Sequence, residues 1–387
     1  MEKTTRPFLI LLVLSALLTS MAVRSQDRDS LEQFLPAARG KDRVKVLNQL
    51  YIGWINSDPV KASAFNREAL TLAREIGDSL GLAKAINNLG HLYRNHGALD
   101  KALEYYLQAE GLFIRLADQQ GIAASQSNIG IIHSYKKDFE KAKSYFEGSV
   151  KIFLELRDTA RLAGVFNNLG NVWLNLNDQQ RATTYFRRSI SFSQAVGQTP
   201  ADPMINLANV QMLQGDSQDA IETLNRAAGL AENSDNKQIL LSIQIGLGNA
   251  WLKAGKLSDS EKALKKALEL SKSVEAYVDE PQIFKSLAEN YARQGRMADA
   301  YANMLLYEEA RELYFSDESS RKIAQMEMMI DIHEKEKELE ALRQQEALSK
   351  LELQRTQLAI TLIIISLLSS ALLVNLYIQK RKARRKA

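Results

Sequence analysis

The strongest constraint on this chain is an internal repeat. Asn87-Asn88-Leu89-Gly90, Ser127-Asn128-Ile129-Gly130 and Asn167-Asn168-Leu169-Gly170 stand 40 residues apart. The phase continues at Asn206-Leu207-Ala208, Leu247-Gly248 and Leu287-Ala288. Three residues after each small position comes Tyr93, His133, Trp173, Gln211, Trp251 or Tyr291. Twelve after it comes Ala102, Ala142, Ala182, Ala220, Ser260 or Ala300, and four further on Tyr106, Phe146, Phe186, Leu224, Leu264 or Met304. A period of this length means one supersecondary unit that buries its apolar face only by stacking on copies of itself.

The unit reads as a helical hairpin. Leu99, Ala102, Leu103, Tyr106 and Ala109 follow a period of about 3.6 residues rather than 2. Gly97, Asp138, Asp178, Gly215, Gly255 or Gly295 supplies the turn between halves. With 19 glycines and 6 prolines in 387 residues, the chain has too few turn formers for a β-sandwich or a flexible low-complexity protein. Small residues such as Gly90 and Ala102 let two helix backbones approach, and the aromatic positions fill the space around them. An all-α fold follows, an α-α superhelical solenoid. The order small residue, aromatic, alanine, aromatic resembles the tetratricopeptide repeat. The resemblance covers about residues 40–314, some seven units, the first of them degenerate around Leu50 to Ala73. The longer period, against about 34 in the commonest form, and the missing proline at the unit's end are similar to longer-helix variants in peptide-binding and signalling members.

Two apolar segments frame the repeats. Lys3 and Arg6 precede Phe8–Leu18, too short to span a bilayer but suited to a signal peptide over residues 1–25, with small residues at Ser20-Met21-Ala22 and Val23-Arg24-Ser25 for cleavage. An uncleaved anchor is the alternative. Leu358 to Ile378 is free of charge and long enough to cross a membrane. Six of the 50 basic residues lie in the tail 379–387, so the net charge of +4 conceals a slightly acidic body, and nucleic acid is excluded as a partner for it. That basic cluster is expected to stay cytoplasmic, with the body, residues 26–314, in the periplasm of a bacterial inner membrane. Between them, residues 315–357 read as a Glu/Lys-rich helix, with Ile332, Leu339 and Leu353 in a seven-residue phase. It is a coiled coil, or else a helix packed on the last repeat or solvated; a homodimer through 320–378 goes with the first option, and Ser366 and Ser370 offer a small-residue helix contact within the span. The order signal peptide, repeats, charged helix and single span resembles membrane-bound tetratricopeptide sensors of Bacteroidota-type bacteria. The resemblance implies a histidine kinase or helix-turn-helix output domain after the span, whereas only nine residues follow here.

No catalytic, cofactor or metal site is expected. The chain has no cysteine. Gly246-Leu247-Gly248 lacks the third glycine of a dinucleotide loop and is already placed by the repeat phase. His333-Glu334 precedes the span and faces away from ATP. His91 and His96 lie five apart, the wrong interval for one helical face.

The informative polar residue is asparagine, which costs about 0.6 kcal/mol relative to alanine in a helix interior. Asn88, Asn128, Asn168 and Asn206 recur two residues before the small position; Asn167, Asn171 and Asn175 form a stripe; Asn209 and Asn249 continue it. In a solenoid the first helices line the concave surface, where an amide both donates to and accepts from a ligand backbone. Peptide-binding tetratricopeptide proteins hold extended peptides with such asparagines, and the resemblance extends this role to Asn87, Asn88, His91, Asn128, Asn167, Asn168, Asn171, Asn206, Asn209 and Asn249. The alternative is that the amides bond neighbouring helices. The expected function is a membrane-anchored sensor or scaffold that captures a protein or peptide. A sensor kinase or transcriptional regulator lacking its output domain, and a passive envelope-assembly scaffold, are the other readings.

Overall fold

The computed structural model describes residues 25–55, 57–232, 236–274, 276–313, 344–366 and 368–369. Among them every regular element is helical. A lead helix α1 (Ser25–Phe34) is followed by α2 (Gly40–Trp54), α3 (Pro59–Glu75), α4 (Ser79–Asn95), α5 (Leu99–Arg115), α6 (Gln119–Tyr135) and α7 (Phe139–Glu155). Then come α8 (Thr159–Asn175), α9 (Gln179–Ala195), α10 (Ala201–Gln214), α11 (Ser217–Ala231), α12 (Lys237–Lys253) and α13 (Leu257–Ser273). A short 3-10 turn (Tyr277–Asp279) leads into α14 (Glu280–Arg293), and residues 297–313 form α15. Even-numbered helices from α2 are the first of each hairpin and the odd-numbered ones the second.

Helix length sets the period. From α3 to α9 every helix has 17 residues and every turn within α4 to α9 has three, so two helices and two turns make one 40-residue unit. Each turn works the same way. Its middle residue is left-handed, held by Gly97 after α4, Ala117 after α5, Lys137 after α6, Arg157 after α7 and Asn177 after α8. The amides of that residue and the next reach back to helix carbonyls, as in Lys137 N to Ser134 O (3.0 Å) and Asp138 N to His133 O (2.9 Å). The third residue then starts the next helix. Asp178 accepts from the Arg181 amide at 2.9 Å, and Asp158 from Arg161 at 3.1 Å. Asp138 and Asp178 therefore stand at helix starts, and the backbone reversal itself falls on Lys137 and Asn177.

The repeat signature is a contact. A Cβ placed on Gly90 would come within 2.6 Å of the Tyr106 ring, on Gly130 within 2.8 Å of Phe146, and on Gly170 within 2.4 Å of Phe186. The residue sixteen positions later thus lies flat on the glycine backbone, and each buried ring contributes about 1.5–3 kcal/mol. Ala102, Ala142, Ala182 and Ala220 are fully buried beside them. Where serine replaces alanine, Ser260 Oγ donates to the Gly248 carbonyl at 2.8 Å, which satisfies the buried hydroxyl. Core clusters run from one hairpin into the next, as Phe146 and Phe153 of α7 pack with Leu162, Val165 and Phe166 of α8. The pattern fades in the last unit, where Met304 is exposed.

Residues 319–387 form a second unit. Its described part, 344–366, is a helix exposed along its length, with Leu348, Leu351, Leu358, Leu362 and Ile365 all open. No helix among the described residues is long and apolar enough to cross a membrane. Of the expected span, 358–366 and 368–369 are helical, while the rest of it lies outside the described residues. So do the leader segment 1–24, the basic tail 379–387, His333, and residues 315–343 of the charged helix.

Candidate functional site

Consecutive first helices touch one another, α4 with α6, α6 with α8, α8 with α10 and α10 with α12, whereas among the described residues consecutive second helices do not. The first helices therefore take the inside of the curve. Their exposed and half-buried residues fall in rows that repeat with the unit. One row is Asn87, Ser127, Asn167 and Ile205; a second is His91, Ile131, Asn171, Asn209 and Asn249; a third, nearer the turns, is Asn95, Tyr135, Asn175, Leu213 and Lys253. Tyr135 and Leu213 are 63% and 59% exposed.

The asparagines divide into three groups. Asn88 is buried and holds a cluster between hairpins: its Nδ2 donates to Asn48 Oδ1 (2.9 Å) and Asn66 Oδ1 (3.2 Å), and its carbonyl accepts from Tyr51 OH (2.7 Å). It is closed to a ligand. A second group ties neighbouring first helices together. Asn128 Nδ2 donates to Asn87 Oδ1 (3.2 Å), Asn206 Nδ2 to Asn167 Oδ1 (3.0 Å), and Ser286 Oγ to Asn249 Oδ1 (2.7 Å). Each amide has four hydrogen-bonding positions, so these rungs do not use the full capacity of the side chains. In the third group, the side chains of Asn168, Asn171 and Asn209 receive and donate no hydrogen bond among the described residues, and none of the three is buried. The structural role open at the sequence level is thus filled by Asn88 and by the asparagines that tie neighbouring first helices, and not by these three.

His91 lies half-buried on the inner face, its ring edge-on to Tyr51 at 6.2 Å between centroids. Burial, assisted by the charge of Arg94, lowers its pKa to about 4, so it is neutral at pH 7. It offers one N–H and one lone pair. Basic residues on the inner side differ in their engagement. Lys253 Nζ donates to the Met212 carbonyl, and Arg293 bonds the Leu252 carbonyl (3.2 Å) and Glu289 (2.6 Å). Each closes the end of the preceding first helix. Among the described residues the Arg94 side chain bonds only Asn95 Oδ1, at 3.3 Å.

Gly246 and Gly248 lie within α12, packed on Leu224 and Leu264, rather than in a phosphate-binding loop. Among the described residues no three His, Asp or Glu side chains gather as metal ligands. The cluster around Asn88 went unread in the sequence, although Asn48 stands one period before Asn88 and gave the signal. The exposed row of Tyr135 and Leu213 carried no signal, because turn-proximal aromatics and aliphatics look like core.

Tetratricopeptide-repeat models match residues 83–112 and 123–154, 162–196, and 200–273. These stretches coincide with α4–α5, α6–α7, α8–α9 and α10–α13. No curated protein matches in sequence. Among solved structures, a Rap protein complexed with competence and sporulation factor aligns with a TM-score of 0.57 at 13% identity, covering 81% of this chain and 89% of that one. The apo quorum sensor NprR from B. thuringiensis aligns at 0.55 and 17% identity, covering 79% and 84%. A Signal Transduction ATPase with Numerous Domains from Pyrococcus horikoshii, which has a tetratricopeptide repeat sensor, aligns at 0.60 and 14% identity, covering 76% of this chain and 46% of that protein. At these identities the likeness is one of fold. The solenoid from α4 to α13 carries tetratricopeptide repeats.

Proposed function

We propose that this chain is a binding module without catalytic activity, and that the inner face of its solenoid captures an extended polypeptide. The observation that carries this reading is the set of open amides, Asn168, Asn171 and Asn209, on first helices where a residue facing solvent alone has no reason to be asparagine. An amide meets a peptide backbone with both a donor and an acceptor, so recognition is broad in sequence. Asn87, Asn128, Asn167, Asn206 and Asn249 hold the first helices in register and present their remaining valences beside them. One fold neighbour is a complex with competence and sporulation factor and another is a quorum sensor, which fits a solenoid that takes up a ligand. The apolar, charge-free segment 358–378 followed by the basic tail 379–387 supports a single membrane span, with the repeats outside the cytoplasm and the helix of 315–357 leading to it.

The test is the pair Asn168→Ala with Asn171→Ala. Each amide bond is worth about 0.5–1.5 kcal/mol net, so loss of both weakens capture of a bound polypeptide roughly five- to a hundredfold. The thermal melt stays unchanged or rises, since alanine is the better helix former and no protein partner is lost. Unchanged affinity with a normal melt overturns the reading.

A further inference from the structure

The turns that join one hairpin to the next carry an apolar ladder. Ile76, Leu116, Leu156 and Val196 close the second helices α3, α5, α7 and α9, each one residue before the left-handed position at Gly77, Ala117, Arg157 or Gly197. They recur every 40 residues along the edge of the solenoid where second helices end. Ile114 and Leu154 stand two residues earlier, and at about 100° per residue they fall on the opposite flank of the same helix ends. All six are open to solvent, between 39% and 57% exposed.

The turn itself does not call for them. At a helix end of this kind the apolar contact comes from the residue after the left-handed one, which here is Asp78, Asp118 or Asp158. Those aspartates belong to the next helix: Asp78 and Asp158 accept from the amides of Gly81 (3.1 Å) and Arg161 (3.1 Å), and Asp118 is half-buried. The same turn at the ends of first helices has His96, Lys136 and Leu176 in that place, and the leucine packs into a core cluster. Exposed aliphatic residues scattered singly are ordinary, but a row in register is a surface. Six side chains open to this degree present about 500 Å² of apolar area, the greater part of the roughly 800 Å² that each partner of a standard interface buries. Charge then selects the partner. Arg115 and Glu155 precede Leu116 and Leu156 on the two central rungs; both are exposed, and neither makes an ion pair among the described residues. Equivalent positions of opposite sign make this edge complementary to itself when one copy runs against the other.

We infer that this edge is the interface of a homodimer, in which a second copy of the chain lies antiparallel on the first, Leu116 of each against Leu156 of the other and Arg115 paired with Glu155. The two-fold axis falls between the central rungs, so every contact occurs twice and Ile76 faces Val196 at both ends. A parallel pairing would set each rung on itself and bring like charges together. The open amides lie on the first helices, outside this contact, so the pairing is independent of the groove reading.

The experiment follows the mass of the full chain in detergent by sedimentation equilibrium over a dilution series. A dimer is expected. Arg115→Glu alone, or Glu155→Arg alone, sets two like-charge contacts across the edge and weakens it at least about tenfold. The double reversal Arg115→Glu, Glu155→Arg restores it, which loss of fold cannot imitate, and helix content by circular dichroism stays the same in all four chains. Register is read with introduced cysteines, since the chain has none of its own. Oxidation of a mixture of the Leu116→Cys and Leu156→Cys chains gives a disulfide-linked dimer, while either chain alone does not. A monomer at every concentration overturns the inference. So does equal dimerisation of all four chains, as a contact through 320–378 would give, or a double reversal no better than the single ones. Linkage of Leu116→Cys to itself in place of the mixed dimer means parallel pairing and overturns it as well.

Discussion

His91 shows how much a single position on the inner face depends on its neighbours. Its ring rests edge-on against Tyr51, and burial with the Arg94 charge holds its pKa at about 4. In the unfolded chain the ring titrates near its ordinary value of about 6.5. Between these values the unfolded state binds more protons than the folded one, so stability rises with pH across that window and is complete above it. Lowering the pH from 7 to 5 is expected to remove on the order of 2 kcal/mol through this residue alone. Denaturation midpoints of the wild type and His91→Gln, measured at both pH values, check this. The variant should lose distinctly less on acidification, and parallel losses would show that the histidine is not the source. The same neighbours decide the asparagines. Asn88 and Asn128 hold the same place in their units, yet Asn88 meets Asn48 and Asn66 in a buried cluster while Asn128 meets Asn87 across one helix pair. The phase of the repeat was legible from the residues. What each amide touches was not, because that depends on the neighbouring hairpin, whose polar residues vary from unit to unit.

At the scale of the element, the turn fixes helix length and so the period. Each turn needs one residue in the left-handed region, where any residue but glycine meets its own Cβ at a cost of roughly 1–2 kcal/mol. Gly97 and Gly197 adopt it freely, but Ala117, Lys137, Arg157 and Asn177 do so against this cost. Arg157 has no ion pair among the described residues to justify its place. Arg157→Gly is therefore expected to stabilise the solenoid by about 1 kcal/mol, less the greater freedom that glycine gives the unfolded chain. A denaturant midpoint that falls instead of rising would mean that the arginine side chain holds the turn. The helices themselves were plain in the sequence, since contacts such as Gly170 with Phe186 and Gly248 with Leu264 set a small residue and a bulky one at a constant separation, a ring in the units from α4 to α9 and leucine in the two that follow. The left-handed positions were half legible: glycine announced them, while Lys137 and Asn177 hid behind the aspartates that follow and start the next helix.

For the whole molecule, the unfilled question is which side of a membrane the inner face addresses. The proposed span rests on the sequence, the charge-free segment 358–378 followed by the six basic residues of 379–387, which the positive-inside rule would keep in the cytoplasm. We propose that the apolar segment Phe8–Leu18 acts as a leader that exports the body, a reading that agrees with a cytoplasmic tail whether or not the leader is removed. A ligand reached from outside the cytoplasm would meet the open amides of the solenoid, and a change there would have to pass along 315–357 to be felt inside. The prediction is that a reporter active only outside the cytoplasm works when joined at Ser316 and fails when joined after Ala387. Replacing the six tail cations by glutamine weakens that asymmetry, because the positive-inside bias is lost, but leaves helix content and the melt of the repeats unchanged. The opposite pattern, activity after Ala387 and none at Ser316, would place the repeats in the cytoplasm. The groove would then face an intracellular partner, and an extracytoplasmic sensor would be ruled out even if the asparagine experiment succeeds.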